Sequence, residues 1–164
     1  MKVRALFVAL CLAVLTACAA PAPAESPTTD APDPVGAYEA MVSWLYHFDP
    51  GLNGHIFAID ASGTGLTDPQ RLVAALEADP RYVQHEFVSA TRAELQDRGL
   101  IHQDELWFEG GFLIEFSDPS IEAEKVTVKA DKWASGTGAV YVTLTAHWDG
   151  AYWVVDPPTS IGMA

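Results

Sequence analysis

The sequence predicts an α+β fold, in which an antiparallel C-terminal β-meander is covered on one face by N-terminal helices. Apolar residues recur at helical spacing early in the domain, whereas from Glu122 to Asp156 they alternate as in strands. That alternating stretch is divided by a Ser-Gly-Thr-Gly turn at 135–138 and by Asp149-Gly150. A strand–helix–strand insert is expected between the first helix and the meander.

Residues 1–17 have the organisation of an export signal peptide. Lys2 and Arg4 precede an apolar stretch at 5–14 that is too short to span a bilayer. The segment ends in Leu15-Thr16-Ala17-Cys18, which resembles the lipobox of bacterial lipoproteins. The resemblance implies that Cys18 becomes the N-terminus and is acylated, with palmitate among its lipids. A plain secretory signal with a different cleavage point is the alternative.

A lipidated Cys18 would place the protein in the cell envelope, outside the cytoplasm and anchored to a membrane by its lipids. Ala19 follows the cysteine where many lipoproteins retained at the inner membrane have Asp, which favours the outer membrane if the cell has one. Cys11 lies inside the signal, so the mature chain keeps one cysteine and can form no intramolecular disulfide.

Residues 18–34 are expected to form the lipidated cysteine and a tether, because alternating Ala and Pro with Ser, Thr and Asp cannot build a core. The remaining residues, 35–164, have the size of a single α+β domain. After loss of the signal, seven Lys and Arg face 22 Asp and Glu, a net charge of −15. Such a charge disfavours nucleic-acid binding and is compatible with cations or basic partners.

The first helix is expected to begin at Asp33-Pro34, because Asp is a good N-cap and Pro suits the first helical position. Trp44 and Phe48 lie at the margins of its apolar face. That face consists of Tyr38, Met41, Val42 and Leu45.

Strands are predicted at 55–60 and 82–88, with a helix between them that is capped by Asp68-Pro69. This order can form a right-handed parallel crossover. A capping-box pattern at 91–94 opens a short helix, and 107–116 is predicted to be a turn followed by a strand.

The two turns of the meander predict its register. If Asp149-Gly150 forms a two-residue hairpin turn, Trp148 lies opposite Ala151, and a loop at 134–138 places Trp133 opposite Ala139. One face then consists of Val126, Val128, Ala130, Val140, Val142, Leu144, Ala146, Trp148, Trp153 and Val155, with Lys132 as its one charged member.

Helices followed by a curved antiparallel meander resemble the cystatin-like and NTF2-like sheets that pack on a helix. The run from Lys132 to Ala139 is similar to a segment of uncharacterised secreted bacterial lipoproteins. Neither resemblance implies a particular activity.

The opposite, polar face of the meander carries a candidate ligand-binding platform. Aromatic rings beside a histidine on a hydrophilic sheet can bind a peptide or a sugar ring by stacking and hydrogen bonding. Alternatively, these residues stabilise the sheet or are covered by another part of the domain. The predicted platform consists of Trp133, Tyr141, His147 and Tyr152.

The sequence contains no motif for a cofactor, a metal or a catalytic site. The stretch from Asp60 to Arg71 partly matches a calcium loop, but Arg71 stands where a bidentate Glu is needed. The histidines lack zinc-binding spacing. A binding or accessory module with a peptide, glycan or protein partner is therefore expected. The alternative is a small NTF2-like enzyme that pairs His147 with Asp131 or Asp60 for acid–base chemistry between sheet and helix.

Overall fold

A curled mixed sheet with helices packed against it forms the domain in the computed structural model, which describes residues 31–102 and 106–164. Within these residues there are three α-helices and nine strands. The helices are α1 (Pro34–His47), α2 (Gln70–Ala78) and α3 (Arg92–Asp97). The strands are β1 (Ile56–Asp60), β2 (Glu86–Ser89), β3 (Ile101–His102), β4 (Trp107–Phe108), β5 (Gly111–Glu122), β6 (Lys125–Ser135), β7 (Gly138–Trp148), β8 (Trp153–Val155) and β9 (Ile161–Met163).

The main path of the sheet runs β2-β1-β5-β6-β7. β1 is parallel to both β2 and β5, and the other pairs are antiparallel. β8 and β9 both pair with β7, and the short hairpin of β3 and β4 continues beside the end of β6. The α+β prediction is confirmed, and α2 connects the parallel strands β1 and β2 as the predicted insert.

α1 and α3 begin where their capping residues predict, whereas α2 begins at Gln70 with Pro69 at its N-cap, and the Asp68 carboxylate accepts the Gln70 amide at 3.2 Å. The Asp33 carboxylate accepts a hydrogen bond from the Val35 amide at 3.2 Å, and Thr91 and Glu94 form a complete capping box. The predicted apolar face of α1 is fully buried and packs against β6, β7 and β8. The predicted strand at 82–88 begins later, at Glu86, because Pro80–Tyr82 form a 3-10 turn instead.

The register of β6 and β7 is confirmed, since Trp133 lies opposite Ala139. The prediction of a two-residue turn at Asp149-Gly150 is wrong. Trp148 pairs with Trp153, not with Ala151, because the Asp149 carboxylate accepts the amides of Ala151 and Tyr152 and widens the loop. The resulting shift of two residues leaves Trp153 and Val155 of β8 on their predicted face.

Two apolar clusters lie on opposite sides of the sheet. The larger cluster lies under α1 and α2 and includes most of the apolar face of the meander, but not Trp148. The smaller cluster lies on the other side and includes Leu95 of α3, Phe108 of β4 and Trp133. Part of the predicted polar face is therefore covered.

Lys132 lies on the apolar face and is completely buried. Its ammonium donates hydrogen bonds to the carbonyl oxygens of Leu45 at 3.0 Å, Phe48 at 3.0 Å and Asp49 at 2.9 Å, with that of Tyr46 at 3.5 Å. These carbonyls belong to the last turn of α1 and to the two residues after it, where a helix leaves acceptors without partners and the dipole favours a cation. Burial lowers the pKa of Lys132 to about 8, and the Asp49 carboxylate acts in the opposite direction.

Replacing Lys132 with Met is expected to lower the free energy of unfolding by about 2 kcal/mol at pH 7, because buried carbonyl oxygens would lose their donors. The folded-state pKa of Lys132, about 8, lies below the ordinary value of 10.5. Between these two values the unfolded chain binds more protons, so the Lys132 contribution to stability rises with pH.

Denaturant unfolding of the wild type and of Lys132→Met at several pH values checks this expectation. The difference between their free energies of unfolding should grow by about 2 kcal/mol from pH 7.5 to pH 10. A difference that stays flat over this range would show that Lys132 does not titrate as a buried group.

Candidate binding groove

An open groove of about 680 Å³ lies between α1 and β8. One wall is formed by the side of α1 next to its buried apolar face. The other wall is formed by the end of the β7–β8 loop and by β8 itself. Most of the lining is aromatic or aliphatic, with polar side chains on the α1 side.

The α1 wall carries a stacked pair of aromatic rings. Trp44 and Phe48 are four residues apart, so they lie on the same side of the helix. Their ring centroids are 4.8 Å apart with an angle of 10° between the planes. Both rings are partly buried, at the margins of the apolar face where the sequence places them, and both line the groove.

The β8 wall is held against the beginning of α1 by Trp153. The indole nitrogen of Trp153 donates a hydrogen bond of 2.9 Å to the Asp33 carbonyl. Gly36 provides the space for this ring, because a Cβ atom at position 36 would lie 2.8 Å from Cδ1 of Trp153. Tyr152, next in the wall, is 63% exposed.

Polar groups line the groove beside the aromatic pair. The Arg81 guanidinium holds the Asp79 carboxylate through Nε at 2.8 Å and donates to the Ser43 hydroxyl at 2.7 Å. The hydrogen bond from Arg81 lowers the pKa of Asp79. His47 Nδ1 lies 2.7 Å from the Ser43 carbonyl, which can only accept, so Nδ1 carries the proton and Nε2 of the neutral ring is an acceptor.

The structure does not bring the four predicted platform residues together on one open surface. Trp133 is only 3% exposed, in the smaller cluster, and the Arg92 guanidinium lies 4.3 Å from its ring centroid. Tyr141 is 44% exposed on β7, opposite Asp131. His147 lies six residues further along β7, about 20 Å away at the usual rise of a strand. Tyr152 lines the α1–β8 groove instead.

His147 is paired with a carboxylate other than the two that the sequence suggested. His147 Nδ1 lies 2.9 Å from a carboxylate oxygen of Asp156, and both side chains are half-exposed. Burial and the nearby Glu115 raise the pKa of Asp131, whereas Asp60 accepts the Ser62 amide in the turn after β1. None of these groups lines the groove.

The stretch from Asp60 to Arg71 is built as a connection between a strand and a helix. Ser62–Thr64 form a 3-10 turn, and the buried Thr64 hydroxyl donates to the Ala61 carbonyl at 2.7 Å. Residues 31–102 and 106–164 contain no group of three or more His, Cys, Asp or Glu placed to hold a metal ion.

No pattern in the sequence combines the residues of the two groove walls into one site. Two local signals are visible in the sequence: the i, i+4 spacing of Trp44 and Phe48, which places both rings on one side of a helix, and the Tyr152-Trp153 pair after the Asp149 turn. Their juxtaposition depends on the packing of α1 against β8, more than 100 residues away in the chain.

The chain was compared with protein-family models, with curated proteins and with solved structures, and nothing matches it in any of the three. Among the described helices, none is both long and apolar enough to cross a membrane.

Gly36→Ala is expected to lower the free energy of unfolding by about 1 kcal/mol, because the added methyl group would displace the Trp153 ring. This loss is expected even though Ala is a better helix former than Gly by about 1 kcal/mol. Denaturant unfolding and the near-ultraviolet circular dichroism of the tryptophans measure both effects. In a Trp153→Leu background the same change should become neutral or stabilising. A loss of stability that is equal in both backgrounds would mean that the ring is not the obstacle.

Proposed function

We propose that this protein is a membrane-anchored extracytoplasmic lipoprotein that acts as a binding module, with the α1–β8 groove as its ligand site. The Leu15-Thr16-Ala17-Cys18 motif and the Pro- and Ala-rich stretch after it support the anchor and the tether. They lie outside the described residues, so their support comes from the sequence alone.

The groove is the observation that carries the binding function. Binding sites are concave and mostly apolar, with a few polar groups that orient the ligand. The groove has stacked rings in one wall, an exposed tyrosine in the other, and hydroxyl, imidazole and guanidinium groups beside the rings. Its opening to solvent suits part of a larger molecule, such as a segment of a protein or a glycan.

The charge of the mature chain restricts the ligand further. With a net charge of −15, the protein repels phosphate backbones, so the ligand is not a nucleic acid. A neutral or basic partner is favoured. Electrostatic attraction to the acidic protein would speed the association of a basic partner.

Cys18→Ser is expected to release the full-length protein from the membrane, because stable anchoring requires the lipid chains. Fractionation of cells that express the wild type or Cys18→Ser, together with metabolic labelling by a palmitate analogue, measures anchoring and acylation separately. A variant that still sediments with membranes and still takes up label would overturn the anchor without affecting the groove.

Trp44→Ala and Tyr152→Ser are each expected to weaken ligand binding at least tenfold, because truncating an aromatic residue that dominates a binding site costs about 2 kcal/mol or more. Wild-type protein is first screened against peptide and glycan arrays, and the variants are titrated with the best binder. Tyr141→Ser, an exposed tyrosine outside the groove, is the matched control and should bind like the wild type. Equal losses in all three variants would argue against the groove.

A further inference from the structure

β8 is an edge strand in the part of the sheet that the structure describes, with β7 as its one neighbouring strand. Two backbone hydrogen bonds, one at each end of β8, show which of its amide and carbonyl groups face β7. The Asp149 amide donates to the Tyr152 carbonyl at 3.1 Å, and the Asp156 amide donates to the Thr145 carbonyl at 2.8 Å.

In an antiparallel pair, alternate residues direct their N–H and C=O groups to the neighbour and away from it. Tyr152, Val154 and Asp156 therefore face β7. The amide and carbonyl groups of Trp153 and Val155 point outward from the sheet, where a further strand could pair with them.

The outer edge of β8 faces the groove. Successive side chains of a strand point to opposite faces of the sheet, so a cavity on one face would contact alternate residues. The groove is lined by all three residues of β8, Trp153, Val154 and Val155, and by Tyr152 just before it, so residues from both faces of the strand contribute. It must therefore run along the edge of the strand, with α1 as its opposite wall.

We propose that the groove binds an extended peptide segment of a partner protein, which adds to β8 as a new antiparallel or parallel strand. This inference rests on the proposed function of the groove and names its ligand class. Main-chain hydrogen bonds to Trp153 and Val155 supply affinity for a peptide backbone, and the rings of Trp44 and Phe48 receive an apolar side chain from the peptide.

The dimensions of the groove and the charge of its surroundings fit such a segment. The α1 wall from Ala40 to Phe48 extends about 12 Å, and β8 extends about 10 Å, which matches three or four residues of an added strand. Asp149 and Asp156 flank β8, and the mature chain is strongly acidic. The peptide is therefore expected to carry Lys or Arg next to its strand-forming residues.

Amide hydrogen exchange of the full-length chain in detergent tests the proposal, with a twelve-residue peptide selected from a random pool as the probe. Binding should slow exchange at Trp153 and Val155 at least tenfold. The Val154 amide already bonds to β7 and is the internal control, so its exchange should not change. Methylation of the peptide nitrogens, one at a time, should weaken binding at alternate residues only.

The outcomes separate this inference from the proposed function. A selected peptide whose binding requires Trp44 but leaves exchange at Trp153 and Val155 unchanged would overturn strand addition and leave the groove as a ligand site. A glycan whose binding requires Trp44, with no peptide that binds in this way, would likewise overturn strand addition and leave the groove as a ligand site. If no probe binds in a way that depends on Trp44, both proposals fail.

Discussion

The hydrogen bonds from the buried Lys132 ammonium to the end of α1 are the contact on which the arrangement of helix and sheet depends. Lys132 joins the middle of the sheet to a helix more than 80 residues away. A buried charge is costly unless it is paired, and here backbone carbonyls with unused acceptor capacity surround it. The same last turn of α1 carries Trp44 and Phe48, so the contact that ends the helix also positions one wall of the groove.

The sequence predicted the meander well because its information is local. Alternation fixes which residues share a face, and an error of two residues in the β7–β8 register left that assignment intact. Capping residues predicted the starts of α1 and α3 for the same reason. Lys132 was the one charged residue on the apolar face, but its acceptors lie in another element, and no local pattern indicates them.

The binding site was harder to predict because alternation does not show what covers a face. Trp133 belongs to the polar face by alternation, yet Leu95 of α3 and Phe108 of β4 bury it in the smaller cluster. Tyr152 was assigned to the same face, but the loop at Asp149 carries it to the groove beside α1. Both differences come from long-range packing, whereas the exposure of Tyr141 agrees with the simple alternating pattern.

The two walls of the groove are fixed independently, and this favours binding. Lys132 holds the C-terminal end of α1, while the Trp153 indole and the space above Gly36 hold β8 against the N-terminal end of the same helix. A groove whose walls are already in place loses little conformational freedom when a ligand enters, so more of the contact energy appears as affinity. Asp33, which accepts the bond from Trp153, also caps α1. The residue at which the chain enters the domain therefore takes part in both the helix start and the β8 wall.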